Sequence, residues 1–275
     1  TSFTDGINGE NSLEKDASTK TIAIYASGKW KNSIHRFKGD VSALENKPTE
    51  VNVHIPLTMV SKEGRAYVAE DEAKINAFKN TVVKGYASIV AHAKNKAVIE
   101  IGTTANPANI TAKDEGVDTT KATSKLEKYK NIGAYAKAGA GASLTDITSV
   151  TVHGNVNVHG LGAIADGKGA KVSLKGTGNN IATGTDGALF AKNYGKIEFG
   201  GGTITNKDNS AERGVSSNDH SSVTPFYARA NGRIEFKGNT TIDMYDGVLV
   251  FGEASDYNAT ISSSSTAKYQ GTGNI

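Results

Sequence analysis

The sequence predicts an all-β fold, a right-handed parallel β-helix (a β-solenoid with about three strands per coil) interrupted by long loop excursions. Three observations carry that expectation. A short alternating triplet recurs a few residues after an alanine: Ala69 to Ile75-Asn76-Ala77, Ala93 to Ile99-Glu100-Ile101, Ala136 to Ala142-Ser143-Leu144, Ala165 to Val172-Ser173-Leu174, Ala191 to Ile197-Glu198-Phe199 and Ala228 to Ile234-Glu235-Phe236. The residue two before each triplet is small: Ala73, Ala97, Ala140, Ala170, Gly195 and Gly232. The copies return at unequal intervals, which is how stacked coils joined by loops of varying length present themselves in a sequence.

Taken in order, residues 1–20 read as an irregular lead-in or partial first coil, and residues 21–275 as one continuous body. Lys20 to Ala26 and Val51 to Ile55 alternate apolar and polar residues like half-buried strands. From Ile132 onward, Gly133-Ala134-Tyr135-Ala136, Gly162-Ala163-Ile164-Ala165, Gly187-Ala188-Leu189-Phe190-Ala191 and Pro225-Phe226-Tyr227-Ala228 hold the same place ahead of each triplet, so they are one strand repeated. Gly202 to Thr205 and Asn239 to Met244 supply a third strand after the triplet. Val150 to His159 reads as a single strand, with Val150, Val152, Val156 and Val158 on one face and Thr151, His153, Asn155, Asn157 and His159 on the other. Inward residues such as Leu189, Ile197, Phe199 and Ile204 then stack on their equivalents above and below, each fully buried side chain contributing about 1.5–3 kcal/mol.

Excess chain between repeats is expected to leave the stack as excursions near 38–64, 103–130 and 206–224. Loops longer than about 12–15 residues in a compact body are usually functional or disordered, so binding is expected there. The candidate binding residues are Lys113, Lys121 and Lys125 in the second excursion and Asp208, Glu212, Arg213, Asp219 and His220 in the third.

Composition narrows the function classes. Lys+Arg 31 against Asp+Glu 28 leaves a formal charge of only +3 with no basic block, which argues against a nucleic-acid partner. Gly 31 with Pro 4 fits regular turns rather than a low-complexity tail. With Cys 0, packing and backbone pairing alone must hold the chain, which suits export in an unfolded state. No apolar run reaches the roughly 20 residues of a membrane helix. Tyr269 to Ile275 stops in the style of another coil without a polar cap, so a fragment of a longer chain is expected.

Candidate chemistry is sparse. His153 and His159 share a face but lie about 20 Å apart along an extended strand, too far for one ion unless a bend at Gly154 brings them closer, so a solvated outer face is the expectation and no metal is assigned. Glu198 and Glu235 would stack as neighbours, and paired carboxylates do the work of glycosidases, yet Glu100, Ser143 and Ser173 hold the same place in other copies, which favours an outward polar ladder. Asp186-Gly187 and Asp246-Gly247 read as turns. Trp30, the single tryptophan, is read as packing at the lead-in rather than as a sugar platform. No nucleophile elbow, phosphate loop or zinc-protease helix is present, and no catalytic residue or cofactor is assigned.

Gly187 to Phe199 and Pro225 to Phe236 give the chain the texture of a known group. It resembles passenger regions of type V autotransporter adhesins, and its lysine- and asparagine-rich wording is similar to the large fusobacterial outer-membrane members, including the arginine-inhibitable and galactose-binding adhesins. The resemblance spans roughly Thr21 to Ile275 and rests on repeats, with no binding motif matched residue by residue. It implies display on the bacterial cell surface by an outer-membrane β-barrel beyond this chain, with membrane contact only through that barrel. It also implies a virulence role, in which the partner is a host cell-surface receptor, glycoprotein or glycan, or another bacterial cell. The expected function is therefore non-enzymatic adhesion through loops on a rigid β-helix. The alternatives are a β-helical polysaccharide lyase or glycosidase, and a non-binding spacer of a longer passenger.

Overall fold

In the computed structural model of the 275-residue chain, the described residues are 2–3, 22–28, 47–61, 63–85, 87–114, 130–183, 187–206, 226–244, 250–252, 260–263 and 267–271. Among them the fold is all-β, without a helix, and every strand pair is parallel. The strands sort into three ladders, which the chain visits in a fixed order from Glu50 onward: first, second, third, then the first again.

The first ladder is a nine-stranded sheet running Ser2–Phe3, Glu50–Val53, Lys74–Ala77, Val98–Ile101, Thr148–Val152, Ala170–Leu174, Lys196–Phe199, Arg233–Phe236 and Thr260–Ser263. The second runs Leu57–Val60, Thr81–Lys84, Ile110–Lys113, the start of Val156–Asp166, Asn179–Thr183, Gly202–Asn206, Thr240–Met244 and Ala267–Gly271. The third runs Ile22–Ser27, Arg65–Glu70, Ile89–Lys94, Asn131–Lys137, the end of Val156–Asp166, Leu189–Lys192, Phe226–Arg229 and Val250–Gly252. The 11-residue strand Val156–Asp166 joins the second and third ladders into one sheet. It turns at Gly160, whose φ of 139° suits glycine and where a Cβ would overlap the Asn131 backbone.

Register explains the recurring triplet. Val51, Ile75, Ile99, Val150, Val172, Ile197 and Ile234 are partners in consecutive rungs of the first ladder, and all are buried. The recurring alanine has an equally simple cause. Ala26, Ala69, Ala93, Ala136, Ala165, Ala191 and Ala228 form one inward column at the end of the third ladder. Immediately beyond that column the chain turns sharply into the first ladder. At four rungs the turn places two consecutive residues at positive φ: Asp71 and Glu72, Asn95 and Lys96, Asn193 and Tyr194, Ala230 and Asn231. The next residue is the small one, and its N–H closes the turn by donating to the carbonyl three residues back, from Ala73 to Glu70, Ala97 to Lys94, Gly195 to Lys192 and Gly232 to Arg229, at 2.9–3.2 Å.

Two buried asparagines satisfy the backbone where strands of the second and third ladders begin. Asn131 accepts from Ser88 N and donates to Gly85 O, while Asn179 accepts from Val156 N and donates to the carbonyls of Gly176 and Gly201. An amide side chain carries both donor and acceptor, so it closes such gaps without leaving an unpaired group inside.

Three expectations need correcting. Ala142-Ser143-Leu144 is not a rung of the first ladder; Ser149 to Val152 takes that place, paired with Val98–Ile101 on one side and with Lys171 to Leu174 on the other. Asp146 pins the earlier segment as a turn, accepting from Ser143 N and Oγ at 2.9 Å and pairing with Lys96 at 3.0 Å, and it leaves Leu144 62% exposed. Val150 to His159 is likewise two strands rather than one, broken at His153 to Asn155, where a Cβ on Gly154 would meet the Ala108 carbonyl. Finally, the 38–64 segment contains the strands Glu50–Val53 and Leu57–Val60, and the 103–130 segment contains Ile110–Lys113, so much of each belongs to the ladders.

Candidate functional site

Alternation sends every second side chain outward, so each ladder presents a surface set by its outward columns. On the first ladder these are polar: Asn52, Asn76, Glu100, Thr151, Ser173, Glu198 and Glu235 in one column. On the second they are largely polar too, with Thr58, Val82, Thr111, Asn157, Asn180, Thr203 and Thr241 in register. The third ladder differs. Its outward column reads Tyr25, Val68, His92, Tyr135, Ile164, Phe190 and Tyr227, and none of these belongs to the interior cluster.

The rings in this column pack against one another along the ladder. His92 stacks on Tyr135, with centroids 4.5 Å apart and planes at 4°, and Phe190 meets Tyr227 edge to face at 4.6 Å. Val68 and His92 are buried although they lie on the outer side, whereas Tyr135, Ile164, Phe190 and Tyr227 are half-buried and Tyr25 is 52% exposed. Burial, then the positive charges of Arg65, Lys94 and Lys137, push the His92 imidazole down to about 3, and neither ring nitrogen has a hydrogen-bond partner. The column thus has apolar and aromatic character on the outer side of a body that already has its own core.

Charges border the rings on the side of the tight turns. The adjacent outward column is Ser27, Glu70, Lys94, Lys137, Asp166, Lys192 and Arg229. Lys94 pairs with Glu70 and Lys192 with Asp166, the second at 3.2 Å, while Lys137 is exposed. Lys192 Nζ also lies 5.4 Å from the Phe190 centroid, and Lys168 Nζ lies 5.2 Å from that of the exposed Tyr194 in the neighbouring turn.

The carboxylates singled out from the sequence are in register, Glu198 beside Glu235. Lys171 and Lys196 contact Glu198 at 3.1 Å, and Glu235 takes Arg233 at 2.6 Å, Lys237 at 2.8 Å and Lys196 at 3.4 Å. Burial alone would raise the Glu198 carboxyl, but hydrogen bonds from Lys196, Lys171 and Ser173 outweigh it and hold it at about 2. Glu235 is lowered as well, first by its bond from Lys237 and against the effect of burial. Both acids are thus kept ionised and occupied by cations, so neither is a proton donor at neutral pH.

His153 lies in the break between two strands and His159 in the strand that follows, and they take different partners. His153 Nδ1 is 3.4 Å from Thr104 Oγ1, and His159 Nδ1 is 3.1 Å from Asp114 Oδ1. Among the described residues no group of three or more His, Asp or Glu is placed to hold a metal ion. Of the loop candidates, Lys113 ends a strand of the second ladder with a half-buried side chain; Lys121, Lys125, Asp208, Glu212, Arg213, Asp219 and His220 lie outside the described residues, as do Trp30, Asp186 and Asp246. The aromatic column was absent from the sequence-derived candidates, although its signal is visible in Ala134-Tyr135-Ala136, Leu189-Phe190-Ala191 and Phe226-Tyr227-Ala228, where a ring stands between two inward residues. No protein-family model matches the chain, and neither the curated proteins nor the solved structures give a match.

Proposed function

We propose that this chain is a surface-displayed, non-enzymatic adhesin segment: a right-handed parallel β-helix that presents the outer aromatic face of its third ladder to a glycan or glycoprotein on a host or bacterial cell. The recurrent first-second-third order of parallel strands supports the helical winding, and the strong preference for right-handed parallel crossovers supplies its hand. The observation that carries the binding reading is the run Tyr135, Ile164, Phe190 and Tyr227, half-buried and outward on consecutive rungs, beside two ladders whose outer columns are mainly polar. Aromatic faces supply large contact area at little conformational cost and take the apolar faces of sugar rings. The resemblance to autotransporter passengers favours display through an outer-membrane β-barrel beyond this chain. The caged carboxylates Glu198 and Glu235 speak against the lyase or glycosidase alternative.

Attachment of the purified chain to epithelial and bacterial cells tests the reading. Phe190→Ala combined with Tyr227→Ala should abolish attachment while leaving the melting temperature within a few degrees of wild type. Unchanged attachment by a folded double variant overturns it.

A further inference from the structure

We infer that the outer face of the third ladder takes an anionic, linear polysaccharide laid lengthwise across the rungs, packed along the outward sides of Tyr135, Phe190 and Tyr227 with its acidic groups on Lys137 and Lys168. This rests on the binding reading above and specifies the ligand for the same face. The rings form a line rather than a pocket, because one side chain per rung repeats in register from Asn131–Lys137 through Val156–Asp166 and Leu189–Lys192 to Phe226–Arg229. A line of that kind suits an extended polymer better than a compact ligand, which needs walls on several sides.

The charge assignment comes from which cations are already compensated. Lys94 is paired with Glu70 and Lys192 with Asp166, so those charges are largely spent within the protein. Lys137 stands between these pairs, exposed and with no carboxylate in contact among the described residues. Lys168 lies one turn away over the Tyr194 ring, again with no carboxylate against it among the described residues. A cation set beside an aromatic surface is a pairing that suits a sugar carrying a carboxylate or sulfate: apolar C–H groups of the sugar meet the outward parts of the rings and the anion meets the ammonium.

The alternative macromolecule for aromatic rings and cations is a single-stranded nucleic acid. Its phosphates demand a continuous basic track, whereas here Asp166 and Ile164 interrupt the face and the whole chain carries only +3. Sparse cations match a polymer with one acidic group every sugar or two.

Calorimetric titration of the full chain decides it, using hyaluronan oligosaccharides (carboxylate), heparin oligosaccharides (sulfate), neutral chitohexaose and oligo(dT) as probes. One acidic oligosaccharide should bind at least about tenfold more tightly than chitohexaose, with affinity that falls as salt rises from roughly 50 to 500 mM. Lys137→Gln with Lys168→Gln should erase that preference, and Phe190→Ala with Tyr227→Ala should remove binding altogether. The carboxylate and sulfate arms identify which anion is read. Equal affinity for acidic and neutral sugars, or an acidic preference untouched by the lysine substitutions, overturns the inference while the adhesion reading stands. Oligo(dT) binding tighter than any sugar overturns it too. Cell attachment that persists after glycan removal but is lost in the Phe190 and Tyr227 variant assigns the face to a protein and overturns it as well. Attachment insensitive to that variant removes the underlying reading itself.

Discussion

Glu198 and Glu235 occupy the same outward position on consecutive rungs, and Lys196 Nζ reaches both carboxylates, at 3.1 and 3.4 Å. The lysine sits where two like charges would otherwise repel at strand spacing, so the two carboxylates and their cations interlock across these rungs of the first ladder.

This pairing sets an acid limit on stability. The Glu198 carboxyl sits at about 2 in the fold against an ordinary 4.5, so its contribution is complete above about 4.5 and is lost as the pH falls towards 2. Thermal melts should show wild type losing stability in that window. Glu198→Gln should flatten the profile, with a difference at neutral pH of about 1 kcal/mol once solvent screening is allowed for. Parallel pH profiles for the two proteins would show that the cage does not stabilise the fold.

His92 carries a second pH dependence with the same direction and a different origin. Its folded value of about 3 lies below the ordinary 6.5, so the unfolded chain takes up a proton first and stability falls as the pH drops from about 6.5 towards 3. The slope is at most about 1.4 kcal/mol per pH unit. His92→Phe keeps a ring against Tyr135 and removes two buried nitrogens that lack partners. It should raise the melting temperature, and more at pH 5 than at pH 7.5. Equal shifts at both values would place the proton elsewhere.

Ile197 is fully buried between Val172 and Ile234. Ile197→Val should cost about 1 kcal/mol by chemical denaturation. Ile197→Asp, which buries an unpaired charge, should cost several kcal/mol or prevent folding. An aspartate variant as stable as wild type would contradict the interior column.

Gly232 closes the tight turn after Arg229, and a Cβ there would overlap the Ala191 carbonyl oxygen. Gly232→Ala should destabilise by about 1–3 kcal/mol, even though Ala73 and Ala97 hold the equivalent place elsewhere. Calorimetry on that single variant is enough, and a neutral result would mean the turn shifts to accommodate the methyl.

The first ladder was legible because its inward position is strongly apolar and the turn before it demands a small residue, two signals that coincide at Ala73, Ala97, Gly195 and Gly232. They misled at Ala142 to Leu144, where small residues belong to a turn organised by Asp146, a contact made with Lys96 of a different rung. The break between Val152 and Val156 was hidden because both valines point inward, so alternation runs unbroken through a corner that only Ala108 and Gly154 define. The aromatic face stayed unread for a related reason. A ring between two inward residues looks like core in one strand, and only register across Tyr135, Phe190 and Tyr227 places those side chains together on the outside.

Val156–Asp166 passes from the second ladder into the third as a single length of strand, pairing with Ile110–Lys113 and Asn179–Thr183 near its start and with Asn131–Lys137 and Leu189–Lys192 near its end. One continuous strand thus clamps two neighbours in each ladder. Opening this level therefore means breaking backbone pairing in both ladders at once. Ile164, the aliphatic member of the aromatic column, is thereby anchored in the strand that ties the second ladder to the third.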